Sequence, residues 1–241
     1  MIVQYQQDGW QLITQRAHGL LAFQIASKWK HEKTPNRWAE FLLAVAEHDD
    51  AEVELDGEEL LTPRGGPLNF EMKTFDLANC KRLSDFSLTK SRYIALLTSM
   101  HMTFLYHKET KSNAEAKKFL TAQMTLQKKL LHELKLSKAE ADSAYRLLEW
   151  CDALSLLLCQ SAIQPEGRLV EISAGPDEKK YQLHALDDDL LTIDPWPFDE
   201  SPFTVSLEYR VINQLQFKDS AELRKKFHEA EVKELCFTFK R

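Results

Sequence analysis

The chain has 241 residues, 44% of them hydrophobic and 28% charged, with 37 Asp and Glu against 31 Lys and Arg for a formal charge of -6. That is enough apolar material for one large domain or two small ones with a packed core. A mildly acidic chain with dispersed basic residues has no general attraction for nucleic acid or anionic membranes, and neither a membrane-length apolar run of ~20 residues nor a signal-peptide pattern is visible.

The first residues, MIVQYQQDGWQLIT, are two short β-prone runs around a Gln-Asp-Gly turn and read as a hairpin. Helical spacing follows over residues 15–30, where His18, Leu21, Ile25 and Trp29 share one face. Thr34-Pro35 is a helix-start signal, and the helix it predicts over 35–50 carries Trp38, Phe41, Leu42 and Val45 on its apolar stripe. Residues 51–88 are rich in turn residues and lack a sustained period, which predicts a long loop: a lid or binding loop, or an ordinary excursion with short strands and turns.

Helical spacing returns over 90–108, with Ile94, Leu97, His101 and Phe104 on one stripe, and again in the charged amphipathic stretch 113–134. That stretch suits a bundle core or the face of a homodimer. The next helix opens on a capping box, Ser137 with Glu140, and is apolar on every side after Leu147, as the central helix of a bundle would be.

Beyond QPEG at 164–167 the character changes to β-branched and alternating runs: RLVEIS, YQLHAL, LLTIDPW, FTVSLEYRVIN and ELCFTFK, with one helix, SAELRKKFHEA, among them. A two-stranded hairpin is marginal alone, so the N-terminal hairpin is expected to dock on these strands. The expected architecture is α+β. It comprises a helical bundle over 1–164 and a β-rich region over 165–241 packed on it, with a small, mostly antiparallel sheet. The four cysteines, Cys80, Cys151, Cys159 and Cys236, form no CxxC pair and read as reduced thiols of a cytoplasmic protein, Cys151 and Cys159 being buried.

Four predicted helices each place a metal-ligand residue type on an inward face. His18 precedes Leu21 by three residues, His48 and Asp49 follow Val45 by three and four, and His101 follows Leu97 by four. Asp152 lies four from both Leu148 and Leu156. Any one of them alone reads as a hydrogen-bonded core residue. Buried carboxylates without partners are costly, and one cation at the bundle axis would satisfy all of them at once. His107 lies on a neighbouring stripe; His31, His132, His184 and His228 read as surface or structural.

This order, His18, then His48-Asp49, then Asp152 in an apolar helix, resembles the HD superfamily of metal-dependent phosphohydrolases over roughly residues 12–160. His101 sits where two-metal members place extra histidines. The chain is also similar to a bacterial family of unknown function, through QRAH (15–18), HDD (48–50), GGPLNF (65–70) and the 165–241 region. In that family Gly-Trp is expected after HDD, and here Ala51-Glu52 follows.

The HD resemblance implies an HD-like bundle holding a divalent ion (Mn, Fe, Zn or Mg) on His18, His48, Asp49, His101 and Asp152, and a small phosphorylated or nucleotide-like substrate. Asp49 would bridge or bind metal, with Asp50 or Glu47 as acid-base groups. Arg16 and Arg64 lead the substrate-binding candidates, with Arg92 and Arg146 beside them. Two alternatives stand next to it: a non-catalytic binding or structural protein with a degenerate site, and a metal oxygenase, since some HD-type sites hold two irons.

Overall fold

The hairpin forms as β1 (Ile2–Gln6) and β2 (Gly9–Ile13), paired in antiparallel register with Gln6 opposite Gly9. The computed structural model describes residues 1–51, 54–55, 59–187 and 190–241. Thr14 follows the hairpin and caps α1 (Gln15–Ser27), accepting from the Ala17 amide. Such caps satisfy amides that the first helical turn leaves open.

The helix predicted over 35–50 is the shorter α2 (Trp38–Ala46), because Thr34 closes a 3-10 turn, His31–Lys33, instead of capping it. Within the stretch read as loop lies α3 (Leu77–Lys90), capped by Asp76. Its inward face is Cys80, Leu83, Ser84 and Ser87, at helical spacing but too polar to show as an apolar stripe. Upstream of it are a Leu61–Pro67 bridge and a 3-10 turn, Phe70–Met72.

Then come α4 (Arg92–Tyr106), α5 (Ala114–Leu134) and α6 (Lys138–Cys159), capped by Ser91, Asn113 and Ser137, the last in the expected capping box with Glu140. The second half of α6 is the core of the molecule. Leu148, Trp150, Cys151, Leu154 and Leu158 have no exposed surface, and α6 packs against α1, α2 and α4. Burying each such side chain contributes about 1.5–3 kcal/mol.

The C-terminal elements are β3 (Val170–Ala174), β4 (Lys180–Asp187), β5 (Leu190–Asp194), β6 (Phe203–Ile212), α7 (Ser220–Glu229) and β7 (Val232–Phe239). The hairpin joins them as expected, with Trp10 opposite Ile212 and Leu12 opposite Arg210. The sheet is larger than expected and mixed: seven strands in the order β1-β2-β6-β7-β5-β4-β3. The chain returns from β6 through α7 and lays β7 back along β6, so the far edge of β7 meets β5 running in the same direction. Ile172, Leu183, Ile193, Val205, Leu207 and Phe239 share the core of α1, α2 and α6. Three cysteines, Cys80, Cys151 and Cys159, are buried and Cys236 is exposed. Among the described residues no helix is long and apolar enough to cross a membrane.

Candidate metal centre

A glycine sets the first contact. A Cβ on Gly19 of α1 would lie 2.4 Å from the Ala46 carbonyl oxygen at the end of α2. Only glycine lets the two backbones approach this closely, and the approach brings His18 beside His48. The expected inward helical stripe does not reach His48: α2 ends at Ala46, and Glu47 to Asp50 form a turn closed by Asp50 N–H on the Glu47 carbonyl. The ring still points inward because His48 Nδ1 donates to the Val45 carbonyl at 2.7 Å. His101 comes from α4 and Asp152 from α6.

The structure brings all five predicted ligands together. His18 and His48 have no exposed surface, His101 is 1% and Asp152 8% exposed, and Asp49 is partly exposed. His18 Nε2, His48 Nε2 and Asp152 Oδ1 form a triangle with sides of 3.2, 3.0 and 3.3 Å. Asp49 Oδ2 lies 3.6 Å from His48 Nε2, and one ligand atom each of His48, Asp49 and His101 fall within 4.8 Å of one another. Donors about 2.0–2.1 Å from a common cation lie roughly 2.8–3.4 Å apart in octahedral or tetrahedral arrangement.

The outer partners fix where the lone pairs point. The Val45 carbonyl can only accept, so the proton it binds is on His48 Nδ1. Ser155 Oγ donates to the Asp152 backbone carbonyl at 2.8 Å and therefore accepts from His18 Nδ1, also at 2.8 Å. His101 Nδ1 is 3.3 Å from the Tyr145 hydroxyl. Holding Nδ1 in this way leaves Nε2 free to bind metal. His18 Nε2, His48 Nε2 and Asp152 Oδ1 are then three acceptors aimed at one another. A single proton on His48 serves two sides of the triangle and leaves the shortest, His18 to Asp152, without one. A cation among them satisfies all three sides, so the residues fit a metal. Because His48 has only one free nitrogen, the two overlapping triads describe one centre, not two.

Electrostatics agree. Burial works to lower the His48 pKa, yet the Asp49 and Asp152 carboxylates raise it to about 10. Burial works to raise Asp152, and the His48 charge holds it well below the usual carboxylate range. Burial lowers His101 and raises the Tyr145 hydroxyl. Unlike the pair, His101 is therefore a neutral imidazole, the form a metal requires.

A cleft of about 1320 Å³ is lined by Gln15, Asp49, His101 and Asp152 together with Leu60 to Pro63, Leu68, Phe70 and Met72 to Leu77. The expected substrate and acid-base residues lie elsewhere. Arg16 pairs with Asp50 at 2.9 Å, Glu47 with Lys90, Arg92 with Glu133 and Arg146 with Glu178. Arg64 is exposed in the turn closed by Gly65 N–H on the Thr62 carbonyl. None of these six expected residues lines the cleft. His107 is exposed and bonds the Phe104 carbonyl. Ala51 lines the cleft, and Glu52 falls outside the described residues. The cations that do line the cleft are Lys73 and Arg82, which the sequence reading missed because both fall in the stretch taken as loop.

Fold and site define an α+β protein with a buried His/Asp cluster able to hold a metal ion. The chain belongs to the family described as "Protein of unknown function (DUF3891)", which matches residues 1–214. No curated protein and no solved structure matches it.

Proposed function

We propose that this chain is a metal-dependent hydrolase of the HD type acting on a small phosphorylated or nucleotide-like molecule. The observation that carries the reading is the triangle of His18 Nε2, His48 Nε2 and Asp152 Oδ1, whose three acceptors call for a cation. Three imidazoles with two carboxylates suit Mn, Fe or Zn better than Mg. A divalent ion held there lowers the pKa of a bound water and polarises a phosphoryl oxygen. Asp49, partly exposed at the cleft, would be the acid-base group beside such a water, a role for which Asp50 is turned away toward Arg16. Lys73 and Arg82 supply positive charge to a phosphate in the cleft.

The test is metal analysis of the purified protein reconstituted with Mn, Fe and Zn, beside the His48→Ala and Asp152→Ala variants. It is followed by assays on generic phosphomonoester and phosphodiester reporters. One ion per chain, lost in both variants together with reporter turnover, supports the reading; failure of the wild type to retain any of the three ions overturns it. A second reading, a metal-binding protein without turnover, draws on the cleft's charge. Glu54, Glu59, Asp76, Glu109 and Glu115 line it beside Asp49 and Asp152, against two cations. Stoichiometric metal without turnover of either reporter favours that reading.

A further inference from the structure

Among the described residues that line the cleft, Gln15 carries a buried side-chain oxygen without a hydrogen-bond partner. It is 4% exposed, and its backbone is held by a bond from its amide to Glu54 Oε1 at 2.6 Å. Its side-chain Nε2 donates to Asp49 Oδ2 at 3.0 Å. Its Oε1 is buried and has no hydrogen-bond partner among the described residues. Turning the amide over would set Oε1 against the Asp49 carboxylate, acceptor facing acceptor, so the orientation is determined. Gln15 is also three residues before His18, on the same face of α1. The helix that delivers a ligand therefore delivers this amide next to it.

Buried carbonyl oxygens are nearly always bonded, so an unbonded one beside a cluster of metal-ligand types points to a donor that comes with the bound group. We propose that Gln15 is a positioning residue of the metal centre. Through Nε2 it fixes the Asp49 carboxylate toward the cation, and through Oε1 it accepts from a water carried by that cation. The proposal rests on the metal-binding part of the function proposed above and adds a residue that acts through Asp49. Outer partners of metal ligands typically contribute about 10- to 100-fold in affinity. Gln15→Met keeps the length of the side chain and removes both the donor and the acceptor.

The experiment is Co²⁺ titration of the full chain, followed by its visible absorption, for wild type, Gln15→Met, Asp49→Ala and the double variant. Circular dichroism melts of the metal-free proteins accompany it. The expected result is Co²⁺ binding weakened about 10- to 100-fold by Gln15→Met, with an unchanged metal-free melt and a smaller loss when Asp49 is already Ala. Equal affinity in Gln15→Met and wild type overturns the role of Gln15 and leaves the metal centre standing. An equal loss with and without Asp49 overturns the claim that Gln15 acts through it. A melt lowered by Gln15→Met without a change in affinity assigns the residue to folding alone and likewise overturns the proposal. No Co²⁺ bound by the wild type overturns the centre and this role together.

Discussion

Binding of one cation at pH 7 is expected to release one proton, and the proton comes from His48. To bind metal through Nε2, His48 must be neutral, because Nδ1–H is committed to the Val45 carbonyl. Against the pull of burial, Asp49 and Asp152 hold its pKa at about 10. At pH 7 the ring is then about three units below its pKa, and removing the proton costs about 4 kcal/mol at 1.36 kcal/mol per unit. Affinity should rise about tenfold for each pH unit between about 7 and 9. Isothermal titration of Mn²⁺ at pH 7 in two buffers of different ionisation enthalpy measures the proton count. The expected value is one per ion, fading as the pH passes about 10. Tight 1:1 binding that releases no proton at pH 7 would refute the proton-for-cation exchange and the charged state assigned to His48.

Three further outcomes follow from the same contacts. In the metal-free protein the raised His48 pKa gives a stabilisation that is full below the unfolded value of about 6.5 and lost as pH rises through about 10. The depressed Asp152 pKa gives one present above about 3.9 and lost as pH falls through its lower folded value. The lowered His101 pKa removes stability as pH falls below about 6.5, so urea melts should show a maximum near pH 6.5 with decline on both sides. Gly19→Ala forces α1 from the Ala46 carbonyl and should cost about 1–3 kcal/mol in urea melts, with a parallel loss of metal affinity as His18 and His48 separate; unchanged affinity would show that the helices slide without parting the rings. Ser155→Ala removes the acceptor for His18 Nδ1 and should weaken metal binding about 10- to 100-fold by titration calorimetry, with a loss of about 1–3 kcal/mol in the metal-free melt from the buried donor left unpaired.

Three of the candidate ligands were legible because each sits at an i, i+3 or i+4 offset from apolar neighbours in a well-formed helix. His18, His101 and Asp152 are placed by helix periodicity alone, and the capping box at Ser137 fixes the start of α6. His48 reached the right place for a different reason than its spacing suggested. The turn after Ala46 and the Val45 hydrogen bond aim the ring, and neither leaves a mark on an apolar stripe. Gly19 and Gln15 carried no periodic signal, since one matters through what it lacks and the other through a single polar contact. Arg82 of the cleft carried no signal because α3 hides its buried face behind Cys80, Ser84 and Ser87. The parallel pairing of β5 with β7 depends on where α7 returns the chain, a long-range choice that strand propensity does not encode.

The arrangement of the five residues argues against a purely structural cluster. Buried ion pairs are weak stabilisers, and apolar side chains of similar volume often serve a core as well or better. The surroundings here would accept such a replacement: Leu148, Leu154 and Leu158 of the same helix are completely buried. A cluster that only held helices together would need its charges neutralised. Instead each outer group spends its hydrogen bond on orientation. Ser155 and the Val45 carbonyl take the Nδ1 protons of His18 and His48, Tyr145 sits at Nδ1 of His101, and Gln15 fixes one oxygen of Asp49. These bonds leave three lone pairs converging within 3.3 Å of one another. In the metal-free fold a proton on His48 occupies part of that convergence, and a cation that exchanges for it satisfies all three sides at once.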